Sequence, residues 1–178
     1  MAAPGGDELT QLIMSLVRDI PDYPRRGVVF KDITPLLADG PAFQAVVDAL
    51  AVAYGPVDKV AGIEARGFIL AAPVACRLGA GFVPIRKKGK LPGATFAQDY
   101  ELEYGTASIE VLTDAFAPAD RVLVIDDVLA TGGTARATAD LVQRAGAQVA
   151  GFAVLLELSF LNGRAKLPDL PVSALLTV

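Results

Sequence analysis

The chain has 178 residues, with 16 Lys and Arg against 20 Asp and Glu, a formal net charge of -4 and a hydrophobic share of 53%. That acidic balance argues against a general nucleic-acid or anionic-membrane surface, and no stretch approaches the roughly 20 uninterrupted apolar residues of a membrane-spanning helix. Histidine is absent, which excludes Ser-His-Asp and Cys-His catalysis and histidine-rich metal sites, and a single cysteine excludes an internal disulfide framework.

A length of 178 residues suits a single domain spanning the whole chain. The mean hydropathy of +0.46 is high for a water-exposed protein and fits a parallel sheet covered on both faces. Met1 to Glu8 show neither the basic region nor the apolar core of a signal peptide, so a cytoplasmic protein is expected. Cys76 lies among apolar residues and reads as a small core side chain rather than a nucleophile.

In chain order, Leu9, Leu12, Ile13 and Leu16 recur at helical spacing and predict an amphipathic first helix, ended by Pro21 and Pro24. An extended connection through Arg25, Arg26 and Gly27 then leads into Val28, Val29 and Phe30. Phe43, Val46, Val47 and Leu50 predict a second helix, with Asp39 as its cap and Pro41 in its first turn. Lys59 to Ile63 reads as a strand, the stretch through Phe68, Leu70, Val74 and Leu78 as a helix stopped by Gly79, and Gly81 to Ile85 as the next strand. The pattern recurs with a strand from Arg121 to Ile125, a helix from Thr134 to Ala145 stopped by Gly146, and a strand from Val149 to Leu156. Two strand-helix-strand units predict an α/β fold with a largely parallel central sheet flanked by helices. Between them, Lys87 to Tyr104 is rich in charge, Gly and Pro and is long for a loop, which predicts a flexible functional lid. Thr106 to Thr113 alternates as a half-exposed strand, with Ala107, Ile109 and Val111 on one face and Ser108 and Glu110 on the other.

The most informative stretch is Val122-Leu123-Val124-Ile125-Asp126-Asp127-Val128-Leu129-Ala130-Thr131-Gly132-Gly133-Thr134. Its branched aliphatics read as a strand buried on both faces, ending at two carboxylates that have to be solvated, paired or bound to ligand. Ala130, Thr131, Gly132, Gly133 and Thr134 then supply small and hydroxyl residues just before a helix, which turns backbone N–H groups toward an anion. Taken singly these are ordinary turn and cap residues. Together they offer acids for sugar hydroxyls or a hard cation and a cradle for phosphate, which a sugar phosphate satisfies. The basic cluster Arg86, Lys87, Lys88 and Lys90 is a local reversal of charge in an acidic chain. All these polar stretches follow predicted strands, where open α/β sheets bind ligands.

The central stretch closely resembles the phosphoribosyl pyrophosphate motif of type I phosphoribosyltransferases, and it lacks the Gly-Lys-Ser or Gly-Lys-Thr of a nucleoside triphosphatase loop. From about Ile20 to Leu161 the chain is similar to the adenine-specific branch of that family. Pro21-Asp22-Tyr23-Pro24 with Gly27 to Ile33, Glu64-Ala65-Arg66-Gly67-Phe68, Arg86 to Gly93 and Leu102-Glu103-Tyr104-Gly105 carry the resemblance outside the motif.

The resemblance implies the type I fold, with a small N-terminal hood and a flexible lid loop. The implied reaction joins adenine to phosphoribosyl pyrophosphate, giving AMP and pyrophosphate with Mg2+ held mainly through the substrate, in a homodimer without nucleic-acid or membrane partners. By the same resemblance, Val29 and Lys31 read the adenine edge through backbone groups, Phe30 stacks on the ring and Leu158 closes the pocket. Arg66, Lys87 and Lys90 hold pyrophosphate, Asp126 and Asp127 hold the ribose hydroxyls, Ala130 to Thr134 hold the monophosphate, and Glu103 with Tyr104 serves the adenine proton and the ribose. The family pattern also suggests a cis Ala65–Arg66 peptide. Two rival functions are transfer to a 6-oxopurine or orotate, and a non-catalytic regulator that senses phosphoribosyl pyrophosphate. The regulator is disfavoured because the basic loop and Glu103-Tyr104 are retained.

Overall fold

The computed structural model describes residues 6–101 and 106–178. Its elements are α1 (Gly6–Leu16), β1 (Arg18–Pro21), β2 (Val29–Asp32), α2 (Thr34–Ala38), α3 (Gly40–Val52), β3 (Lys59–Ile63), α4 (Arg66–Leu78) and β4 (Gly81–Lys87). There follow β5 (Thr95–Glu101), β6 (Thr106–Leu112), β7 (Arg121–Leu129), α5 (Gly133–Arg144), β8 (Gln148–Glu157) and β9 (Val172–Thr177). Seven strands form one sheet in the order β5-β6-β4-β3-β7-β8-β9, and β1 pairs with β2 in a separate antiparallel ribbon. Strands β4, β3, β7, β8 and β9 run parallel, while β6 is antiparallel to both β4 and β5.

The order places the site. From β3 the chain steps through α4 to β4 on one side; from β7 it steps through α5 to β8 on the other. A crevice therefore opens between the carboxyl ends of β3 and β7, where the winding reverses. Cover on both faces explains why β7 is apolar from Val122 to Ile125. Leu123 and Ile125 pack with Leu70 and Val74 of α4, whereas Val122 and Val124 pack with Leu141 and Val142 of α5. Each such fully buried aliphatic side chain contributes about 1.5–3 kcal/mol.

Helix α3, which the sequence predicts as the second helix, is capped as expected, with the Ala42 N–H donating to Asp39 Oδ1 at 2.9 Å. Gly79 ends α4 with φ 67, the left-handed turn that favours glycine. Several expectations are corrected. The first helix ends at Leu16, before either proline, because Arg18 to Pro21 is drawn into the β1–β2 ribbon. Strand β7 continues through Asp126 and Asp127 to Leu129, since β8 pairs with it beyond both acids. Cys76 is exposed, because the buried stripe of α4 runs through Leu70, Ala71, Val74 and Ala75 and Cys76 falls outside it. The cis peptide lies at Glu64–Ala65 rather than Ala65–Arg66; Ala65 already has helical backbone angles, so the later bond belongs to the start of α4.

Within the stretch expected as a lid, Thr95 to Glu101 forms β5. Strand β5 pairs with β6 from Thr95↔Leu112 to Glu101↔Thr106. Phe96 and Tyr100 pack on the core beside α5, and Arg144 lies 5.6 Å from the centre of the Phe96 ring while donating to the Ala97 carbonyl at 3.0 Å.

Helix α4 begins in very close contact with β7. A Cβ on Gly67 would lie 2.8 Å from the Ile125 carbonyl oxygen and 3.0 Å from Asp126 Oδ1. Gly67→Ala gains helix propensity of up to about 1 kcal/mol, but the backbone it meets has little room to yield, and such overpacking costs about 1–3 kcal/mol. A net loss of stability is therefore expected in urea denaturation, and an unchanged or raised midpoint would contradict this packing.

Candidate active site

The cleft at the crevice has a volume of about 320 Å³ and is lined by Phe30, Lys31, Arg66, Asp126, Asp127 and Leu158, among others. Beside it is a smaller recess of about 70 Å³ formed around Asp126 and Ala130 to Thr134. The fold thus gathers the ends of β3 and β7, the β2 edge of the ribbon and the segment after β8.

Asp127 lies near the end of β7, and Arg66 is the first residue of α4. The two meet, with Arg66 Nε 2.7 Å from Asp127 Oδ2. The contact is an ion pair without hydrogen-bond alignment, which leaves Oδ2 buried with no hydrogen-bond partner among the described residues. A residue only 5% exposed whose acceptor makes no hydrogen bond is prepared for a ligand donor. Part of Asp126 opens to the cleft, yet crowding by protein dominates its acidity. Burial first, and then the charge of Asp127, push the Asp126 carboxyl well above the usual carboxylate range, against the Asp127 N–H and Arg66 that favour its ionisation.

The Arg66 guanidinium also lies 4.8 Å from the centre of the Phe30 ring, and Tyr23 meets that ring edge-on at 5.2 Å. Phe30 is therefore part of the cleft wall and not plain core. Lys31 spends its ammonium on Asp19, 2.6 Å away across the β1–β2 ribbon, which leaves its backbone as the part available to a ligand. Val29 is exposed beside it. Leu158 is fixed where β8 ends, its N–H donating to the Leu129 carbonyl at 3.0 Å.

Helix α5 begins after Gly132, whose φ of 77 is left-handed, and no side chain caps the helix. The first N–H groups of α5 accordingly face the small recess without an internal acceptor, the geometry that binds phosphate. Gly132 has a second reason to be glycine. Its Cβ would lie 2.2 Å from the Gly163 carbonyl oxygen, and a Cβ on Gly163 would lie 2.1 Å from that of Ala130. The turn after β8 buttresses the cradle from below, so a bulky residue at 132 disturbs the backbone as well as the phosphate space.

The basic turn after β4 is held by carboxylates. Glu64, with its side chain 9% exposed, accepts from the Lys87 N–H at 2.9 Å and from the Lys90 ammonium at 2.7 Å, with Arg86 Nε 3.4 Å away. Lys87 through its backbone and Lys90 through its ammonium are therefore tied to Glu64, but Arg66 itself faces Asp127 and Phe30 and not Glu64. Glu110, expected on an exposed face, is only 4% exposed because it too accepts backbone N–H groups from this turn. The roles of Glu64 and Glu110 were missed from sequence. The available signal was the cluster of cations itself, which in a folded acidic protein requires counter-charges. Glu103 and Tyr104 lie outside the described residues.

A family profile described as the phosphoribosyl transferase domain matches residues 37–169. An adenine phosphoribosyltransferase of Streptomyces coelicolor is 62% identical, with 100% of each chain covered. The chain belongs to the adenine phosphoribosyltransferase family. The crystal structure of adenine phosphoribosyltransferase from Thermoanaerobacter pseudethanolicus superposes with a TM-score of 0.92 at 46% identity, covering 95% of this chain and 99% of that one. The Saccharomyces cerevisiae adenine phosphoribosyltransferase, solved with an imino-altritol bisphosphate and adenine, gives a TM-score of 0.90 at 36% identity over 95% and 99% of the two chains. Within this family member the fold matches the type I arrangement, hood included, and the adenine-specific resemblance in the sequence is confirmed at family level.

Glu64 offers a pH test. Burial alone would raise its pKa, but the hydrogen bonds from Lys90 and Lys87 and the charges of Lys90 and Arg86 outweigh it and hold the group at about 2 against an ordinary 4.5. A depressed carboxyl stabilises the fold above its unfolded pKa and loses that contribution as pH falls through the folded value. Glu64→Gln is therefore expected to be less stable than the parent at pH 7, with the gap closing between pH 4.5 and 2 in a series of urea titrations. A gap that stays constant across that window would contradict the assignment.

Proposed function

We propose that this chain transfers the 5-phosphoribosyl group from phosphoribosyl pyrophosphate to adenine, releasing AMP and pyrophosphate in purine salvage. The observation that carries the reading is the pairing of Asp126 and Asp127 with the uncapped start of α5 in one crevice, because this joins a sugar-diol site to a phosphate site. The family membership supports adenine as the base.

In this reading the ribose hydroxyls donate to Asp126 and Asp127, and one of them supplies the donor that Asp127 Oδ2 lacks. The 5-phosphate takes the N–H groups at Ala130 to Thr134. Adenine lies against Phe30, with backbone groups of Val29 and Lys31 reading its edge and Leu158 closing the far side. The diphosphate faces Lys87 and Lys90, and Arg66 reaches it by leaving Asp127. Adenine N9 forms a bond to C1 of the ribose while the C1–oxygen bond to pyrophosphate breaks, so the electron pair leaves with pyrophosphate. Positive charge grows at C1 in the transition state, where the two aspartates stabilise it. No enzyme nucleophile is required; holding both partners in line supplies the rate. The adenine proton goes to Glu103 in this assignment, which rests on the family resemblance.

Two adjacent carboxylates, one with a buried oxygen held by an ion pair alone, also suit a divalent cation that is bound largely by substrate oxygens. Magnesium held there, with Asp126 and Asp127 near the ribose, would neutralise charge on the departing pyrophosphate. We place the protein in the cytoplasm as a homodimer. The half-exposed Ile69 on α4 and Phe82 on β4 support an apolar contact face, and no helix among the described residues is long and apolar enough to cross a membrane.

The test is pyrophosphate release from phosphoribosyl pyrophosphate and magnesium with adenine, hypoxanthine, guanine and orotate in turn. Adenine is expected to be the efficient acceptor, and in Asp127→Asn the affinity for phosphoribosyl pyrophosphate is expected to fall about 10- to 100-fold, the effect of losing hydrogen bonds to a charged group. Faster release with a 6-oxopurine or orotate would replace the substrate assignment. Binding of phosphoribosyl pyrophosphate without turnover of any base would support the regulator instead.

A further inference from the structure

The turn that carries Lys90 is shaped by a carboxylate that the proposed substrates do not touch. Glu110 lies on β6 directly opposite Arg86 of β4 in the register. Its neighbours Ile109 and Val111 are buried, and an apolar residue at 110 would avoid the cost of burying a charge. Instead Glu110 Oε1 accepts from the N–H groups of Lys90 and Leu91, both at 3.0 Å, and Oε2 from the Thr95 hydroxyl at 3.3 Å. Those bonds, with a further contribution from the Gly89 N–H, keep its pKa below the ordinary value despite burial.

Lys90 is thus fixed at three points. Its N–H is held by Glu110, its carbonyl accepts from Arg86 Nη1 at 3.1 Å, and its ammonium rests on Glu64 Oε1 at 2.7 Å. The first two ties fix the backbone, while the third is a side-chain contact that an arriving anion can replace. We propose that Glu110 is a positioning residue for the reaction: through the backbone of Lys90 it sets where that ammonium stands, and so governs affinity for the pyrophosphate half of the substrate. This rests on the reading of Lys90 as a pyrophosphate ligand.

The sign of the effect separates positioning from simple electrostatics. Glu110 is negative, so if only its charge mattered, removing it would strengthen pyrophosphate binding. If it positions Lys90, removing it weakens that binding. The nucleotide half of the site is built from Phe30, Asp126, Asp127 and the start of α5, outside the turn, and should not respond.

The experiment measures dissociation constants of the full chain for magnesium pyrophosphate and for AMP by calorimetry, in the parent, Glu110→Gln, Glu110→Ala, Thr95→Val and Lys90→Met. Glu110→Ala is expected to weaken pyrophosphate about tenfold or more, the loss of hydrogen bonds to a charged group. Glu110→Gln, which keeps one acceptor oxygen and the volume, should recover part of that loss, and Thr95→Val should show a smaller loss in the same direction. AMP affinity should stay within about twofold throughout, a fold change too small to reflect a lost charged hydrogen bond. If Glu110→Ala does not fold, Glu110→Gln and Thr95→Val decide by the same sign. Unchanged or tighter pyrophosphate binding in both, or AMP and pyrophosphate affinities falling together, overturns the inference. A normal loss in Lys90→Met beside no loss in the Glu110 variants overturns the inference alone, whereas no loss in Lys90→Met overturns the reading of Lys90 and the inference with it.

Discussion

Two carboxylates in consecutive positions near the end of a buried strand set the terms for everything around them. Asp126 and Asp127 lie where the sheet reverses its winding, and their mutual repulsion and burial are costly without compensation. The compensation comes from the first residue of α4, and it works only because Gly67 lets that helix start press against the backbone of β7. The same guanidinium reaches over Phe30, so a single side chain links the acids to the aromatic wall of the cleft. In the proposed reaction these are the groups that face the ribose and the base. The fold therefore presents a sugar site whose charge is balanced but whose acceptors are not used up.

The opposite problem is solved on the other side of the crevice. A cluster of cations spans the end of β4 and the turn after it, and two carboxylates hold it, Glu64 just after β3 and Glu110 from β6. Glu64 holds the exchangeable Lys90 ammonium as well as the Lys87 N–H, whereas Glu110 holds the backbone N–H groups of the turn together with the Thr95 hydroxyl. In the proposed reaction a highly charged ligand finds Lys90 already placed, and the rearrangement needed there is a change of partner at its ammonium group. Preorganisation of this kind lowers the cost of reaching a charged transition state.

The parts of the fold legible in sequence are those with a strong local signal. The strands β3, β7 and β8 announced themselves as aliphatic runs, and α4 and α5 by their periodicity and by Gly79 and Gly146. Ribbon strand β1 and edge strand β9 carried no such signal, because Arg18 to Pro21 is exposed throughout and Val172 to Thr177 is only half covered. The hairpin strand β5 was hidden by charged and glycine-rich neighbours, although Phe96 and Tyr100 are the residues that anchor it. Glu110 was misread for a related reason. Alternation shows that a strand has two faces, but not that a turn from elsewhere will cover the polar one. The site residues in the central motif were legible because acids, small residues and hydroxyls are compressed into one stretch. The ties between loops, such as Arg66 with Asp127 and Gly132 with Gly163, depend on tertiary approach and leave no mark in local spacing.

The proposed function requires that the acids of β7 and the start of α5 hold one sugar phosphate between them. A crystal structure of the protein with AMP and magnesium tests it most directly. The account predicts the ribose hydroxyls within hydrogen-bonding distance of Asp126 and Asp127, the phosphate on the N–H groups of Thr131 to Thr134, and the adenine ring against Phe30. A nucleotide bound with its phosphate on the Lys87 to Lys90 turn, or with its ribose away from both aspartates, would contradict it.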